Sequence, residues 1–265
     1  MKILILTGSA VRHKFVANTL RHYNPDDKFL VVSECKKTDV IKAQGFANEL
    51  ETGIKGHFMK RALTEKFSFP GNYCFHSNCV PFIFGYLNYD YAVEVISGFD
   101  PNMTIVFGGS WIKDPLFSFL SKTWFINLHL GLSPYYKGAG TNFWPWVNEE
   151  LEYLGATIHY VDEGIDSGDI ISHVKTEILS HDDVHSVGCK IIEESVAVLN
   201  VIINRIKDNN PLPRIKQWKA EIARYYKKSD FSEVILEQYK QKLKNGLVNR
   251  YLERGNPPPK IIEIQ

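Results

Sequence analysis

An amide, an imidazole and a carboxylate stand in this sequence in an order that chemistry can use. Residues 124–129, Trp-Phe-Ile-Asn-Leu-His, read as a buried β-strand with Asn127 and His129 two positions apart. Successive side chains on a strand point to opposite faces, so these two project to one side while Ile126 and Leu128 project to the other. Gly131, Ser133-Pro134 and Gly138-Ala139-Gly140 then break the strand into a loop, the kind of edge where functional side chains gather. Asp166 follows in the acidic, glycine-punctuated turn 161–169, between two strand-like runs. Donors for a developing oxyanion, with a carboxylate to orient an imidazole or take a proton, are the parts of an acyl-transfer site. Singly, each has an ordinary explanation, since a histidine in an apolar strand is commonly structural and Asp-x-Gly is turn chemistry. Their order and joint spacing carry the functional reading. Neither Ser133 nor Ser167 has the Gly-x-Ser-x-Gly setting of an acyl-enzyme nucleophile, so direct transfer is expected.

The elements that must position these groups alternate between strand-like and helix-like segments. That is the pattern of a Rossmann-like α/β fold, a mostly parallel sheet flanked by helices. Strands are expected at 2–7, 29–33, 73–76, 103–107 and 124–129. Helices are expected at 11–22, within the polar stretch 38–67, at 85–97 and at 113–121. Residues 157–161 and 170–178 are expected to form a hairpin around the acidic turn. Asp182-Asp183 caps a helix over 184–207 whose Val187, Ile191, Val198, Ile202 and Ile206 make an apolar stripe for the core. Asn209-Asn210-Pro211-Leu212-Pro213 is the clearest linker, dividing a main domain, 1–208, from a small, partly helical C-terminal extension, 209–265, with a helix over 231–252.

Composition narrows the class. With 265 residues, 44% hydrophobic, the chain can bury one substantial core. Thirty-one basic against 30 acidic residues give no global pull towards nucleic acid. The apolar run after Met1-Lys2 is too short for a signal peptide or membrane span, so a cytoplasmic protein without nucleic-acid or membrane partners is expected. The four cysteines show no disulfide framework. Cys74, His76 and Cys79 lack an evident fourth ligand, and no metal is expected. Gly8-Ser9 opens a helix with Arg12 and Lys14 in its first turn, where basic side chains oppose the helix dipole. A nearby anion or a solvated helix start would each account for them.

The runs Asn-Leu-His-Leu-Gly-Leu-Ser-Pro-Tyr-Tyr-Lys-Gly, 127–138, and Gly-Ala-Thr-Ile-His-Tyr-Val-Asp-Glu-Gly-Ile-Asp-Ser-Gly, 155–168, together resemble the folate-dependent formyltransferases. The resemblance covers roughly 70–180. It implies catalytic roles for Asn127, His129 and Asp166, and 10-formyltetrahydrofolate as donor. It places the folate on Phe107, Gly108, Gly109, Ser110, Trp111 and Ile112, with Val161, Asp162 and Gly164 opposite; glycines there let main-chain groups approach a flat heterocycle. The form of residues 129–138, with Gly140-Thr141-Asn142-Phe143-Trp144-Pro145-Trp146, looks most like the branch that formylates nucleotide-linked amino sugars for surface polysaccharides such as the lipopolysaccharide O-antigen. The fifty-odd residues after the linker are few for the second domain of a methionyl-tRNA formyltransferase. Leu130 stands where glycinamide ribonucleotide formyltransferases typically have proline. These two activities and formyltetrahydrofolate hydrolysis remain the alternatives. For a sugar-nucleotide acceptor, Tyr136, Lys137, Asn142 and Trp144 are candidate wall residues, with Arg12 or Lys14 on the phosphates. A homodimer is a further expectation.

Overall fold

A computed structural model describes residues 1–35 and 52–264; the part of the 38–67 expectation that falls on 38–51 lies outside the described residues. Seven strands, β1 Lys2–Gly8, β2 Lys28–Cys35, β3 Asn78–Ile83, β4 Met103–Phe107, β5 Trp124–His129, β7 Ala156–Tyr160 and β8 Ile170–Val174, form one sheet. Their order is β3-β2-β1-β4-β5-β7-β8. The pairs from β3 to β5 are parallel, and β7 and β8 join antiparallel. This is the Rossmann-like α/β arrangement that the alternating pattern predicts.

The short apolar strands are buried on both faces. In β1, Ile3 and Ile5 enter one core with Val16, Ala17 and Leu20 of α1, Val11–Tyr23. Leu4 and Leu6 enter the other, with Ile96 of α3, Asp90–Phe99, and with Leu116 and Leu120 of α4, Leu116–Leu120. The first core also holds α2, Gly53–Ser68, at its edge and the long α6, Val184–Lys207, whose Val187, Ile191, Leu199, Ile202 and Ile203 are almost fully buried. Asp183 caps α6, its carboxylate accepting from the backbone N–H groups of His185 at 2.8 Å and Ser186 at 3.0 Å.

Two sequence expectations need correction. Residues 73–76 are not a strand: Asn18 of α1 takes their backbone groups, donating to the Cys74 carbonyl at 2.9 Å and accepting from the His76 N–H at 2.8 Å. The strand lies five residues later and contains Pro81, which an edge strand tolerates because one row of its backbone groups has no sheet partner. The helix expected over 231–252 is two helices, α7 Glu233–Lys244 and α8 Leu247–Arg254, separated at Gly246, whose φ of +78° no helix accommodates.

Residues after the linker pack onto the rest of the molecule. β9, Arg224–Tyr226, pairs parallel with β6, Tyr136–Gly138, forming a small second sheet shortly after β5. Leu236, Tyr239, Leu247 and Val248 enter the larger core, where Tyr239 meets Trp146 of α5, Trp144–Asn148, edge-on. No helix among the described residues is long and apolar enough to cross a membrane.

Candidate active site

Asn127, His129 and Asp166 converge where β5 runs out of the sheet. Ile126 and Leu128 are held by the larger core, which turns Asn127 and His129 to the opposite face and into a cleft of about 920 Å³. His129 is 8% exposed, and its Nδ1 lies 3.2 Å from Asp166 Oδ1. Its Nε2 lies 3.2 Å from the Tyr136 carbonyl oxygen. Both neighbours are acceptors, so both N–H groups of a protonated ring would be satisfied in place. The other Asp166 oxygen accepts from the Gly138 N–H at 3.1 Å, and the Asp166 carbonyl accepts from Gln217 Nε2 at 2.8 Å. Asp166 has φ +50°, a left-handed conformation costing about 1 kcal/mol in a non-glycine residue, and these contacts hold it there.

The turn after β5 is built to leave room for the imidazole. A Cβ on Gly131 would lie 2.6 Å from His129 Nε2 and from Thr141 Cβ, so only glycine fits. Thr157 pairs across the sheet from His129 and ties the turn down, donating to the Gly131 carbonyl at 2.6 Å and accepting from the Ser133 N–H at 2.9 Å.

The sequence motifs did not single out His159, which completes the centre. It faces Asn127 in the β5–β7 register. Its Nδ1 lies 2.7 Å from the Tyr160 carbonyl and must donate there, leaving Nε2 to accept from Asn127 Nδ2 at 3.1 Å. Burial lowers its pKa, with the nearby His129 adding to the effect against the Tyr160 carbonyl and Asp166. A neutral His159 thus fixes the Asn127 amide, whose second N–H is the remaining donor. The signal was available: His159 is the one polar residue in an otherwise apolar half of that strand, but its partner depends on register.

Phe107, Gly108, Gly109, Ser110, Trp111 and Ile112 line the cleft, as do Val161, Asp162 and Gly164. Gly108 and Gly109 have φ +73° and +130°; a Cβ on them would press on His13 at 3.2 Å and on Glu34 at 3.1 Å. The loop therefore presents main chain, and an apolar-walled cleft with such a rim fits a flat heterocycle rich in donors and acceptors. Glu34, another residue the motifs missed, sits beneath at 2% exposure. Its carboxylate accepts from the Ser110 N–H, from the Ser110 hydroxyl at 2.8 Å and from the Gly85 N–H at 2.7 Å.

The acceptor candidates divide. Arg12 and Asn142 line the cleft, Arg12 paired with Glu65 at 2.5 Å. Tyr136, Lys137, Trp144 and Lys14 are not among its lining residues. Tyr136 is fully buried and donates to Glu150, and Trp144, 4% exposed, lies flat on Tyr226 at 4.0 Å. The Lys14 ammonium donates to the Tyr73 carbonyl at 2.9 Å. Tyr136, Trp144 and Lys14 are thus engaged in packing and loop anchoring. The cleft is also lined by residues that short motifs could not reveal: His57, Arg61 and His185 on α2 and α6, and 225–229 on and after β9. Burial and the Arg61 guanidinium push His57 down to about 4, and burial with His57 pushes His185 to about 3.

A Rossmann-like sheet with an amide, an imidazole and a carboxylate at its strand ends defines the class. Residues 101–203, about two fifths of the chain, match the formyl transferase family. It is 29% identical over 116 residues to the methionyl-tRNA formyltransferase of Clostridioides difficile, a stretch covering 40% of this chain and only 37% of that protein. In fold it resembles the formyltransferase PseJ from Anoxybacillus kamchatkensis, solved with UDP-4,6-dideoxy-4-formamido-L-AltNAc and tetrahydrofolate, with TM-score 0.52, 19% identity and 94% of each chain covered. The phosphoribosylglycinamide formyltransferase of Anaplasma phagocytophilum is comparably similar, with TM-score 0.53, 16% identity, and 85% of this chain and 98% of that one covered.

Proposed function

We propose that this protein transfers a formyl group from 10-formyltetrahydrofolate to the amine of a nucleotide-linked amino sugar. The observation that carries the chemistry is the hydrogen-bonded line Asp166–His129 beside Asn127–His159, all four facing one cleft. The folate, held by main-chain groups of 107–112 and by 161–164, supplies the electrophilic acyl carbon. The free N–H of Asn127 donates to the oxygen where negative charge grows, and His129 joins it by exchanging the 3.2 Å contact of its Nε2 with the Tyr136 carbonyl for that oxygen; donors aimed at developing charge are commonly the largest catalytic term. Asp166 holds the His129 ring through Nδ1, receives the proton that the attacking amine sheds, directly or through water, and returns it to the folate nitrogen as the bond from that nitrogen to the acyl carbon breaks, so that tetrahydrofolate leaves. His159 keeps the Asn127 amide aimed. The buried floor beneath β5 excludes solvent from one side, which strengthens each of these interactions.

Support for a sugar-nucleotide acceptor comes from the near-neutral charge, the form of residues 129–138, and a C-terminal extension that builds a cleft wall. Binding of tRNA would call for a broad basic surface. The test offers initiator methionyl-tRNA, glycinamide ribonucleotide and a panel of thymidine-, uridine- and guanosine-linked amino sugars in competition, with formyl donor in excess. Formylation of at least one sugar is the expected result. Efficient formylation of either of the first two with none on any sugar overturns the acceptor class, and formate release without any amine marks a hydrolase.

A further inference from the structure

The C-terminal extension reaches the cleft at one place, and there it brings two cations and an exposed ring. β9 is fastened on three sides: the Arg224 N–H donates to the Tyr135 carbonyl at 2.7 Å, the Ala139 N–H to the Tyr226 carbonyl at 2.8 Å, and Arg224 Nε to Glu150 at 3.0 Å. Tyr226 is stacked on Trp144, its ring inclined by 6°. Gly138 has φ +89°, and a Cβ there would overlap the Tyr226 carbonyl and come within 3.1 Å of the Tyr225 ring. The same Gly138 donates its N–H to Asp166. Tyr225, 53% exposed and lining the cleft, therefore stands one residue from the carboxylate. From it the strap runs outward through Lys227 and Lys228, both cleft-lining and exposed. The Lys228 ammonium sits 5.4 Å over the ring of Phe84, in the loop that Glu34 ties to Ser110. Asp230 is engaged with the Lys227 backbone N–H at 2.7 Å, and neither ammonium has a carboxylate within 4 Å among the described residues.

A strap along the cleft, with a ring beside the proton acceptor and, beyond it, two ammonium groups without a carboxylate partner among the described residues, is complementary to a ligand of matching form. That ligand places its reacting end near Asp166, a flat or ring-shaped body on Tyr225, and multiple negative charge on the lysines. We infer that residues 225–228 are the acceptor-reading wall of this enzyme and that they select acceptors carrying a diphosphate. This rests on the formyl-transfer reading of the same cleft. The chemistry it adds is the location of the phosphates, on the extension and not on the first turn of α1.

Calorimetry on the full chain tests it with inorganic pyrophosphate and uridine 5′-diphosphate as probes. The Lys227→Ala/Lys228→Ala variant is expected to bind both at least about tenfold more weakly, as loss of charge-assisted contacts predicts. Tyr225→Leu should weaken uridine 5′-diphosphate about fivefold and leave pyrophosphate unchanged, while Tyr225→Phe keeps both, in line with a stacked ring. All these positions are exposed, and a melting temperature within about 2 °C of the parent protein verifies an intact fold. Failure of the parent protein to bind either probe, or equal binding by the double variant, overturns the inference. So does a double variant that loses affinity for 5-formyltetrahydrofolate or its triglutamate while keeping the diphosphates, since the lysines would then read folate carboxylates. If the probes bind as expected but no sugar nucleotide is formylated, the functional reading fails and the anion site stands.

Discussion

The two sides of the cleft are built in opposite ways. On the side of β4 and β5, chemistry comes from neighbours in sequence: 107–112 follow one strand, Asn127 and His129 end the next, and Asp166 lies on the turn just after β7, which pairs with β5. On the other side nothing is local. His57 and Arg61 come from α2, His185 from α6, and Tyr225 to Lys228 from a strap 87 residues beyond its partner strand. In the proposed reaction the first side must hold fixed geometry at a few atoms. The second would serve recognition, for which any scaffold that presents the right charge and surface suffices, and loops and appended segments commonly carry it. A family can therefore keep one side and exchange the other, which is why the chemistry is easier to infer than the acceptor.

The largest effect that would break this contrast lies on the first side. His129→Ala, Asn127→Ala and Asp166→Ala should each lower turnover by at least about a hundredfold while donor affinity stays within about twofold, because these groups act on charge that develops during reaction. Asp166→Ala added to His129→Ala should cost less than the two single losses combined, since part of the carboxylate's effect works through that ring; fully additive losses would separate the two roles. Steady-state kinetics with calorimetric donor binding gives both numbers. His129→Ala with near-parental turnover would place the reaction elsewhere.

A smaller effect sharpens the comparison by asking what makes the folate side rigid. Glu34 accepts from three donors at once, which a carboxylate can do and a carboxamide cannot, because the amide nitrogen of glutamine has no lone pair to offer. Glu34→Gln therefore turns one of these contacts into donor against donor and loosens the 108–110 loop. The expected outcome is a KM for the formyl donor raised about tenfold with turnover at saturation changed less than about twofold, roughly what one lost charge-assisted contact removes. Equal falls in turnover for saturated and unsaturated enzyme would instead make Glu34 a general support of the fold.

The same contrast explains what the sequence made legible. The strand over 124–129 and the helix over 184–207 are strong because apolar periodicity and a cap residue act within one segment. β3 escaped because Pro81 argues against a central strand, and only its edge position permits it. His159 lay within a readable motif, yet its role needed the β5–β7 register. Trp144 and Tyr136 looked like a ligand wall because aromatic residues after a catalytic strand serve equally to pack a loop, and packing takes them here. Glu34 and the strap act across 76 residues and more, a distance that no pattern within a segment encodes.

The smallest effect concerns acid, and it belongs to the recognition side. His57 and His185 lie with ring centroids 4.5 Å apart among Phe143, Phe231 and Tyr239. Burial, reinforced by Arg61 on both rings and by His57 on His185, brings them to about 4 and about 3, with Lys60 acting the same way on both, Lys240 on His57, and Asp183 opposing. Their pKa values in the unfolded chain are near the ordinary 6.5, so on acidification the unfolded state takes up protons that the folded cluster refuses. Stability from this source is complete above pH 6.5, falls as pH drops, and is lost by the time the folded rings titrate near pH 4 to 3. Asp182 and Asp183, whose pKa values are lowered mainly by Lys190 and Lys60, lose their contribution only below the ordinary carboxylate range, so the two windows separate. The melting temperature should fall by several degrees between pH 7 and pH 5. His57→Phe, which the surrounding aromatic rings can accept, should flatten that slope while leaving the fall below pH 4 in place. An unchanged slope in His57→Phe would mean that the histidine pair does not govern acid lability, and that the recognition side is no softer to acid than the catalytic one.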